Sequence, residues 1–382
     1  MLVNKPPMGW NTWNTFGMEP SEDLVKRSAD AFIKLGLKDA GYEYIVIDDC
    51  WSLYDRDKKT GRIVADPAKF PNGMKAVGDY IHSKGLKFGM YSCAGVRTCA
   101  DYPASYGHEF EDARTFADFG VDYLKYDYCY KPVCADGKRL YMRMGNALRS
   151  CGRDILFSAC NWGAEESYKW MRATGAHSFR STGDIIDSFV SYKNIVISQE
   201  DLHYASAPQC FNDMDMLTVG MYGKGLVGST GCDFTDYRAQ FSLWCMFASS
   251  LMLGCDITNI DEKTLELVKN KYLIRINQDE EARPPIDISA TMNTSRHGEF
   301  ERVYFRQLSD GEYAFCFWNL SDKKRKIFAF MSQLGLEATD GLGFEFRDVF
   351  TGEVTGVYNE YAIETVEPRD VHVYIAKLVP MK

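Results

Sequence analysis

The chain has 382 residues, of which 46% are hydrophobic and 14% aromatic, which is enough for a large core and excludes a disordered protein. A formal net charge of −9 and the lack of a visible Lys/Arg cluster argue against a nucleic-acid partner. The N-terminal segment does not resemble a signal peptide and no apolar run reaches 18 residues, so we expect neither export nor a membrane partner.

Eight short strands alternate with helical patterns from the N-terminus to about residue 280. Amphipathic stretches such as 22–37 and 111–120 lie between them, the second ending in a helix-stopping glycine. This alternation predicts an α/β fold with a closed (β/α)8 TIM barrel. An open doubly wound sheet is the alternative, but GWNTWNTF after the first strand is not a glycine-rich phosphate loop. The predicted strands are 7–10, 44–49, 86–92, 122–127, 155–160, 177–181, 211–217 and 250–255.

The pattern changes in the last hundred residues. Five segments alternate apolar and polar side chains and are separated by turn sequences, which is typical of antiparallel strands. We therefore predict a small C-terminal β-sandwich and a domain boundary near Pro284, with the barrel at 1–283 and the sandwich at 284–382. The segments are RVYFRQL, EYAFCFWNL, KIFAFM, FEFRDVF and DVHVYIAKL.

Charged side chains occur at the ends of four predicted barrel strands. A (β/α)8 barrel brings the carboxyl ends of its strands to one mouth, so these side chains are expected to surround a site. Carboxylates accept hydrogen bonds from hydroxyl groups and aromatic faces stack on a pyranose, which indicates a sugar site, and two carboxyl groups could cleave a glycoside. The charged residues are Asp48, Asp49, Lys125, Asp127, Arg180, Asp184, Asp213 and Asp215; Trp10, Trp13, Tyr91, Cys160, Asn161 and Trp162 lie at the other strand ends.

Each of these features has a structural alternative. Asp48 and Asp49 could cap a helix, Lys125 and Asp127 could form a structural ion pair, and the tryptophans could belong to the core. The aspartates could also hold Mg²⁺ or Mn²⁺ in a lyase or isomerase, although Lys125 and Arg180 would then lie among the ligands. We therefore expect no catalytic metal and no other cofactor. A sugar-binding protein without catalysis is a further alternative.

Seven segments, in chain order, closely resemble glycoside hydrolase family 27, the retaining α-galactosidases and α-N-acetylgalactosaminidases. The resemblance implies that Asp127 is the nucleophile and Asp184 the general acid and then base, with carboxyl groups about 5 to 5.5 Å apart. Lys125 and Arg180 should keep Asp127 ionised, while a neighbouring carboxylate should raise the pKa of Asp184. The segments are PPMGWNTWNTF, YIVIDDCW, HSKGLKFGMYS, YLKYDYC, FRSTGDIIDSF, NDMDMLTVG and INQD.

The resemblance also implies the residues that contact the sugar. Asp48 and Asp49 would bind the hydroxyls at C6 and C4, Lys125 the neighbouring ring hydroxyls, and Arg180 the region of C2. Cys160 and Trp162 fill space that small Ser and Ala leave open in an α-N-acetylgalactosaminidase, which favours galactose. The full implied set of substrate-binding residues is Trp13, Asp48, Asp49, Tyr91, Cys99, Lys125, Cys160, Trp162, Arg180 and Asp215.

The cysteines depart from the pattern of extracellular relatives. The twelve cysteines show no CxxC spacing, and no cysteine precedes Cys50 to form one of the family's disulfides. Cys99 and Cys129 match a second family disulfide, but we expect a cytoplasmic protein in which they are thiols or a labile bond. Two further departures are Met214 in place of a proline and Asn161 in place of a glutamate.

The resulting hypothesis is an exo-acting retaining α-galactosidase of carbohydrate metabolism that hydrolyses terminal α-linked galactose from oligosaccharides. β-L-Arabinopyranosidase and α-N-acetylgalactosaminidase activities remain open alternatives, because arabinopyranose is galactose without its C6 group. The glycine-rich segment at 221–237 could line a subsite or an oligomer interface, so the sequence leaves a homo-oligomer open. A small galactoside is the expected partner.

Overall fold

The computed structural model describes residues 2–289 and 299–381, and its first part is an eight-stranded parallel sheet. The strands are hydrogen-bonded in the order β7-β6-β5-β4-β3-β2-β1-β8, so each predicted strand lies beside its neighbour in the chain. The strands are β1 Met8–Asn11, β2 Tyr44–Val46, β3 Lys87–Cys93, β4 Tyr123–Asp127, β5 Leu156–Cys160, β6 Ser178–Arg180, β7 Phe211–Asp213 and β8 Leu251–Leu253.

The sheet closes on itself beyond the end of β7. Leu217 forms a parallel bridge with Leu253 of β8. The Leu217 amide donates to the Met252 carbonyl at 2.8 Å, and its own carbonyl accepts from the Gly254 amide at 3.0 Å. This bridge completes the ring, so the predicted TIM barrel is confirmed and the open sheet is excluded.

Helices connect successive strands on the outside of the barrel. The second helix begins after Ser21, whose hydroxyl accepts from the Leu24 amide, and the fourth ends at Gly120 with φ 81°, where the sequence predicted a stop. Among the described residues, no helix combines the length and apolar character needed to cross a membrane. The helices are α1 Trp13–Phe16, α2 Glu22–Lys34, α3 Met74–Ser83, α4 Glu109–Phe119, α5 Gly137–Ser150, α6 Phe189–Ser198, α7 Phe234–Met246, α8 Glu262–Val268 and α9 Lys271–Asn277.

The C-terminal part is an antiparallel β domain of two sheets. A six-stranded sheet has the order β14-β13-β16-β11-β10-β9, and β12 pairs with β15 in a second sheet. Apolar side chains of both sheets, including Phe315, Ile327 and Phe346, form a buried core, which confirms the predicted sandwich. The strands are β9 Ile286–Asp287, β10 Glu301–Gln307, β11 Glu312–Asn319, β12 Arg325–Phe330, β13 Leu342–Asp348, β14 Val354–Tyr358, β15 Tyr361–Val366 and β16 Val371–Pro380.

Three of these strands, β9, β14 and β15, were not predicted from the sequence. β14 lies at the edge of its sheet and buries none of its five side chains fully, so its sequence lacks the alternation of a half-buried strand. The boundary at Pro284 stays a prediction.

The β domain packs against the barrel through α6 and α7. The ring of Trp318 stacks on that of Tyr192 with centroids 6.3 Å apart, and Arg238 forms an ion pair with Asp370. The buried Arg306 guanidinium donates to the Cys245 carbonyl at 3.0 Å. Aromatic packing and buried polar contacts therefore join the two domains.

Candidate active site

One pocket at the carboxyl ends of the barrel strands is lined by eleven of the twelve predicted site residues. It encloses about 540 Å³ of space, including open solvent at its mouth. Cys160 is the twelfth residue and does not line the pocket. The eleven are Trp13, Asp48, Asp49, Tyr91, Cys99, Lys125, Asp127, Trp162, Arg180, Asp184 and Asp215.

Lys125 connects two carboxylates at the floor of this pocket. It is two positions before Asp127 on β4, so both side chains lie on the same face of the strand and point into the barrel mouth. Its Nζ lies 2.9 Å from Asp48 Oδ2 and 4.0 Å from Asp127 Oδ2. Burial by itself would lower the pKa of Lys125, but the charges of Asp48 and Asp127 hold it well above its usual range. The ammonium is therefore a fixed positive charge between two aspartates.

Asp127 has one carboxylate oxygen without a hydrogen bond. The residue is only 6% exposed, and its Oδ1 has no hydrogen-bond partner within residues 2–289 and 299–381. A buried carboxylate oxygen is normally hydrogen-bonded because desolvation of an unpaired charge is costly. Such an oxygen beside a pocket is available to a ligand. A purely structural Lys125–Asp127 ion pair does not account for this arrangement.

Asp48 and Asp49 lie just after β2 in a segment without regular structure, not at the start of a helix. Asp48 Oδ2 accepts from Asn11 Nδ2 at 2.6 Å, and Asp49 Oδ2 accepts from the Ala100 amide at 3.0 Å. The next helix, α3, begins only at Met74, so the helix-cap interpretation of Asp48 and Asp49 is wrong. Burial raises the pKa of Asp49 to about 6, against the lowering effect of its hydrogen bonds.

Arg180 organises the opposite wall of the pocket. Its guanidinium forms an ion pair with Asp184, lies 3.5 Å from Asp215 Oδ2 and donates to the sulfur of Cys160 at 3.4 Å. Burial opposes the charge of Arg180, but Asp215 holds its pKa well above its usual range. Cys160 therefore contacts Arg180 from behind, which corrects its predicted place in the pocket lining.

The structure contradicts the predicted pKa of Asp184. Partial desolvation by the surrounding pocket raises this pKa, but the charge and hydrogen bond of Arg180, helped by Lys125, outweigh that effect and lower it below the usual value. The charged partner is a guanidinium rather than the carboxylate assumed from the sequence. The Asp184 side chain is also 80% exposed, so it meets solvent in the free protein.

Asp213 and Asp215 differ in their relation to the pocket, although Asp213 ends β7 and Asp215 follows two residues later. Asp215 lines the pocket and accepts from the Ile185 and Met216 amides at 2.8 and 2.7 Å. Asp213 does not line the pocket, accepts from the Asp215 amide at 3.0 Å, and has a pKa that burial raises to about 6. Asp213 thus supports the backbone of Asp215 from outside the pocket.

The tryptophans divide between the core and the site. Trp10 is fully buried and its indole donates to the Cys255 carbonyl at 2.8 Å, so the core interpretation holds for Trp10. Trp13 and Trp162 are half-buried and line the pocket, where their faces are available to a ligand.

A disulfide joins Cys99 and Cys129 beside Asp127, with Cα atoms 5.2 Å apart. Of the two predicted alternatives, free thiols or a labile bond, the structure shows the bond. The two cysteines meet because they follow the neighbouring strands β3 and β4, and Cys99 Sγ lies 3.6 Å from Asp127 Oδ2. The Tyr91 hydroxyl lies 3.4 Å from the same sulfur.

Some residues of the site were missed by sequence reasoning. Asn14, Ile185, Met216 and Val227 also line the pocket. Val227 belongs to the glycine-rich segment at 221–237, for which a subsite was one of two predicted roles. The signal for Asn14 was its position just after β1, at the carboxyl end of a barrel strand.

Comparisons with known proteins match both domains. The family model described as alpha galactosidase A covers residues 5–279, and the model of the alpha galactosidase C-terminal beta sandwich domain covers residues 301–376. An alpha-galactosidase of Cyamopsis tetragonoloba is 39% identical over 370 residues, or 94% of this chain and 85% of the relative. Alpha-galactosidase A of Cellvibrio japonicus is 42% identical over 332 residues, or 84% and 77%.

A solved structure extends the match to the whole fold. Alpha-galactosidase I from Mortierella vinacea superposes with a TM-score of 0.90 at 31% identity, covering 100% of this chain and 99% of that one. These matches confirm the resemblance stated from the motifs. The chain belongs to glycoside hydrolase family 27, the family of the α-galactosidases.

Proposed function

We propose that this protein is an exo-acting, retaining α-galactosidase that releases terminal α-linked galactose from oligosaccharides. The observation that carries the proposal is the free, buried Oδ1 of Asp127, which borders the same pocket as the exposed carboxyl of Asp184. The free oxygen of Asp127 is available to attack as a nucleophile, and the solvent-exposed carboxyl of Asp184 can act as a proton donor. The names of the relatives support the same substrate.

In the first step, Asp127 attacks C1 of the sugar and the bond from C1 to the glycosidic oxygen breaks. The proton of Asp184 moves to that oxygen, so the leaving group departs as a neutral alcohol. Asp184 must first gain this proton, although Arg180 lowers its pKa in the free protein. The bound substrate would cover the exposed carboxyl and remove water from it, which raises the pKa toward the required value.

In the second step, water attacks C1 of the covalent galactosyl-enzyme and Asp127 leaves. Asp184, now ionised, takes a proton from this water, while Lys125 stabilises the returning charge of Asp127. Each step inverts C1, so the product keeps the α configuration.

The pocket suits one terminal sugar. Asp48 and Asp49 would accept hydrogen bonds from two sugar hydroxyls, and Lys125 would donate one. The faces of Trp13 and Trp162 would pack against the C–H surface of the ring. Trp162 lines the pocket and Cys160 lies behind Arg180, and this bulk in the wall that would face C2 favours a plain hydroxyl over an acetamido group.

The test compares p-nitrophenyl α-D-galactopyranoside, p-nitrophenyl α-D-N-acetylgalactosaminide and p-nitrophenyl β-L-arabinopyranoside as substrates, with the first-formed anomer read by NMR. We expect the galactoside to have the highest kcat/KM and α-galactose to appear first. A preference for either other sugar would move the substrate within the family. Initial release of β-galactose would overturn the retaining mechanism.

A further inference from the structure

Asp187 is a buried carboxylate three residues after Asp184 and outside the pocket. It has no measurable exposure, and it lies in the segment 181–188, which connects β6 to α6 without regular structure. A fully buried aspartate requires hydrogen-bond partners to be tolerated. Within the described part of the chain, its hydrogen-bond partners lie in the glycine-rich segment 221–237.

The side chain of Asp187 holds one turn of that segment. Its Oδ2 accepts from the Gly223 amide at 2.7 Å, and its two oxygens accept from the Tyr237 hydroxyl at 3.1 and 2.9 Å. The Tyr237 hydroxyl in turn accepts from the Tyr222 amide at 2.5 Å. A carboxylate and a phenol therefore fix the Tyr222–Gly223 turn, in which both residues have positive φ angles of 51° and 75°.

The backbone of Asp187 extends the same contact. Its amide donates to the Val227 carbonyl at 3.0 Å, and its carbonyl accepts from the Gly231 amide at 3.1 Å. Val227 lines the pocket, and its amide donates at 3.2 Å to the carbonyl of Asn14, another pocket residue. Asp187 thus joins the 181–188 segment to a wall of the pocket.

The position of Asp184 depends on this segment. Its side chain is 80% exposed, so surrounding packing does little to hold it, and its ion pair with Arg180 must be released for proton donation. The backbone is held at Ile185 by Asp215, through a hydrogen bond of 2.8 Å, and at residue 187 by the contacts above. Two buried carboxylates thus fix the chain just beyond the acid/base residue.

We propose that Asp187 is a positioning residue. Its hydrogen bonds to the 221–237 segment set the location of Asp184 for proton transfer. The inference rests on the proposed function, because it assigns the acid/base role to Asp184. Gly223 donates to Oδ2 and the Tyr237 hydroxyl reaches both oxygens, so an asparagine would place an NH2 group, which cannot accept, at one of these contacts.

The test exploits the leaving group. Hydrolysis of p-nitrophenyl α-D-galactopyranoside needs little acid assistance in the first step, whereas methyl α-D-galactopyranoside needs full assistance. We expect Asp187→Asn to lower kcat/KM on the methyl glycoside on the order of 10²-fold, as misplacement of a catalytic group does, and to lower it far less on the p-nitrophenyl glycoside. Asp184→Ala should show the same asymmetry more strongly.

Two further variants keep the test decisive. Tyr237→Phe removes one donor and serves if Asp187→Asn fails to fold; it should show the same asymmetry in weaker form. Tyr304→Phe is the matched control, because it also removes a buried tyrosine hydroxyl that donates to a carboxylate, Glu200 at 2.7 Å, but lies outside the 221–237 segment. It should affect both substrates equally.

Equal losses on both substrates in Asp187→Asn and Tyr237→Phe would show a merely structural role and overturn the inference. No loss on either substrate would overturn it as well. Failure of the wild type to cleave any α-galactoside would instead refute the proposed function, so the two failures are distinguishable.

Discussion

Reduction of the Cys99–Cys129 disulfide is expected to weaken both the stability of the barrel and its affinity for the sugar. The two cysteines are 30 positions apart and close the segment that runs from the loop after β3 to the loop after β4. In the chain-entropy treatment, a closed loop of this length destabilises the unfolded state by about 3.6 kcal/mol. Reduction should therefore lower the free energy of unfolding by an amount of this order.

The effect on the site follows from the residue next to Cys99. The Ala100 amide donates to Asp49 Oδ2 at 3.0 Å, so this loop supplies one of the donors that hold a sugar-binding carboxylate. A hydrogen bond to a charged group contributes about 1.5 to 3 kcal/mol. Loosening of the loop should therefore raise KM for the galactoside by roughly tenfold, with a smaller effect on kcat.

The assay combines urea unfolding, thiol titration and kinetics. Ten free cysteines are present with the disulfide intact, so the unfolded protein should titrate ten thiols before reduction and two more after it. Urea midpoints and KM are then measured with and without a phosphine reductant. Cys99→Ala/Cys129→Ala should match the reduced wild type and lose its response, whereas Cys134→Ala, which removes an exposed free thiol, should respond like the wild type.

An unchanged urea midpoint in protein shown to have gained two thiols would refute the stability argument. A KM that does not rise on reduction would refute the link from this loop to Asp49. If the protein isolated from cells already titrates twelve thiols, the prediction of a cytoplasmic protein gains support; ten would oppose it.

Two predictions concern buried carboxyl groups. Burial raises the pKa of Asp49 to about 6, so kcat/KM should fall as the pH decreases through 6 and Asp49 takes up a proton. Asp49→Asn should lose this acid limb of the pH–activity profile along with much of its activity. An unchanged acid limb in the variant would contradict the assignment. The second prediction concerns Asp213, whose pKa is about 6 in the folded protein and about 3.9 in the unfolded chain. Its charge therefore destabilises the fold by about 3 kcal/mol above pH 6, and this destabilisation disappears as the pH falls toward 4. Asp213→Asn should raise the Tm at pH 8 and leave it unchanged at pH 4; a gain of equal size at both values would show that ionisation is not the cause.

The barrel was predictable because its eight strands are short apolar runs at regular spacing. Once closure is assumed, the chemistry of the mouth follows, since parallel strands bring their carboxyl ends together. Asp48 follows β2, and Lys125 and Asp127 lie on one face of β4. The closed barrel therefore places all three in a single pocket. Edge strands such as β14 carry no such signal because their side chains are mostly exposed.

The remaining errors concern contacts between segments far apart in the chain. The low pKa of Asp184 depends on the direction in which Arg180 points, which no local pattern encodes. The hydrogen bond between Asp187 and Tyr237 joins residues 50 positions apart. It depends on left-handed backbone turns that the sequence does not predict. Cys160 was predicted to line the pocket but lies behind Arg180, because packing directs its sulfur toward the guanidinium.

The measurement that tests the central claim most directly is hydrolysis of p-nitrophenyl α-D-galactopyranoside by Asp127→Ala, with and without azide. Asp23→Ala, which changes an exposed aspartate with a 78% exposed side chain, is the control. We predict that Asp127→Ala loses activity, that azide restores it with β-galactosyl azide as the product, and that the control equals the wild type. Full activity of Asp127→Ala, or rescue that yields α-galactosyl azide, would contradict the assignment of Asp127 as the nucleophile.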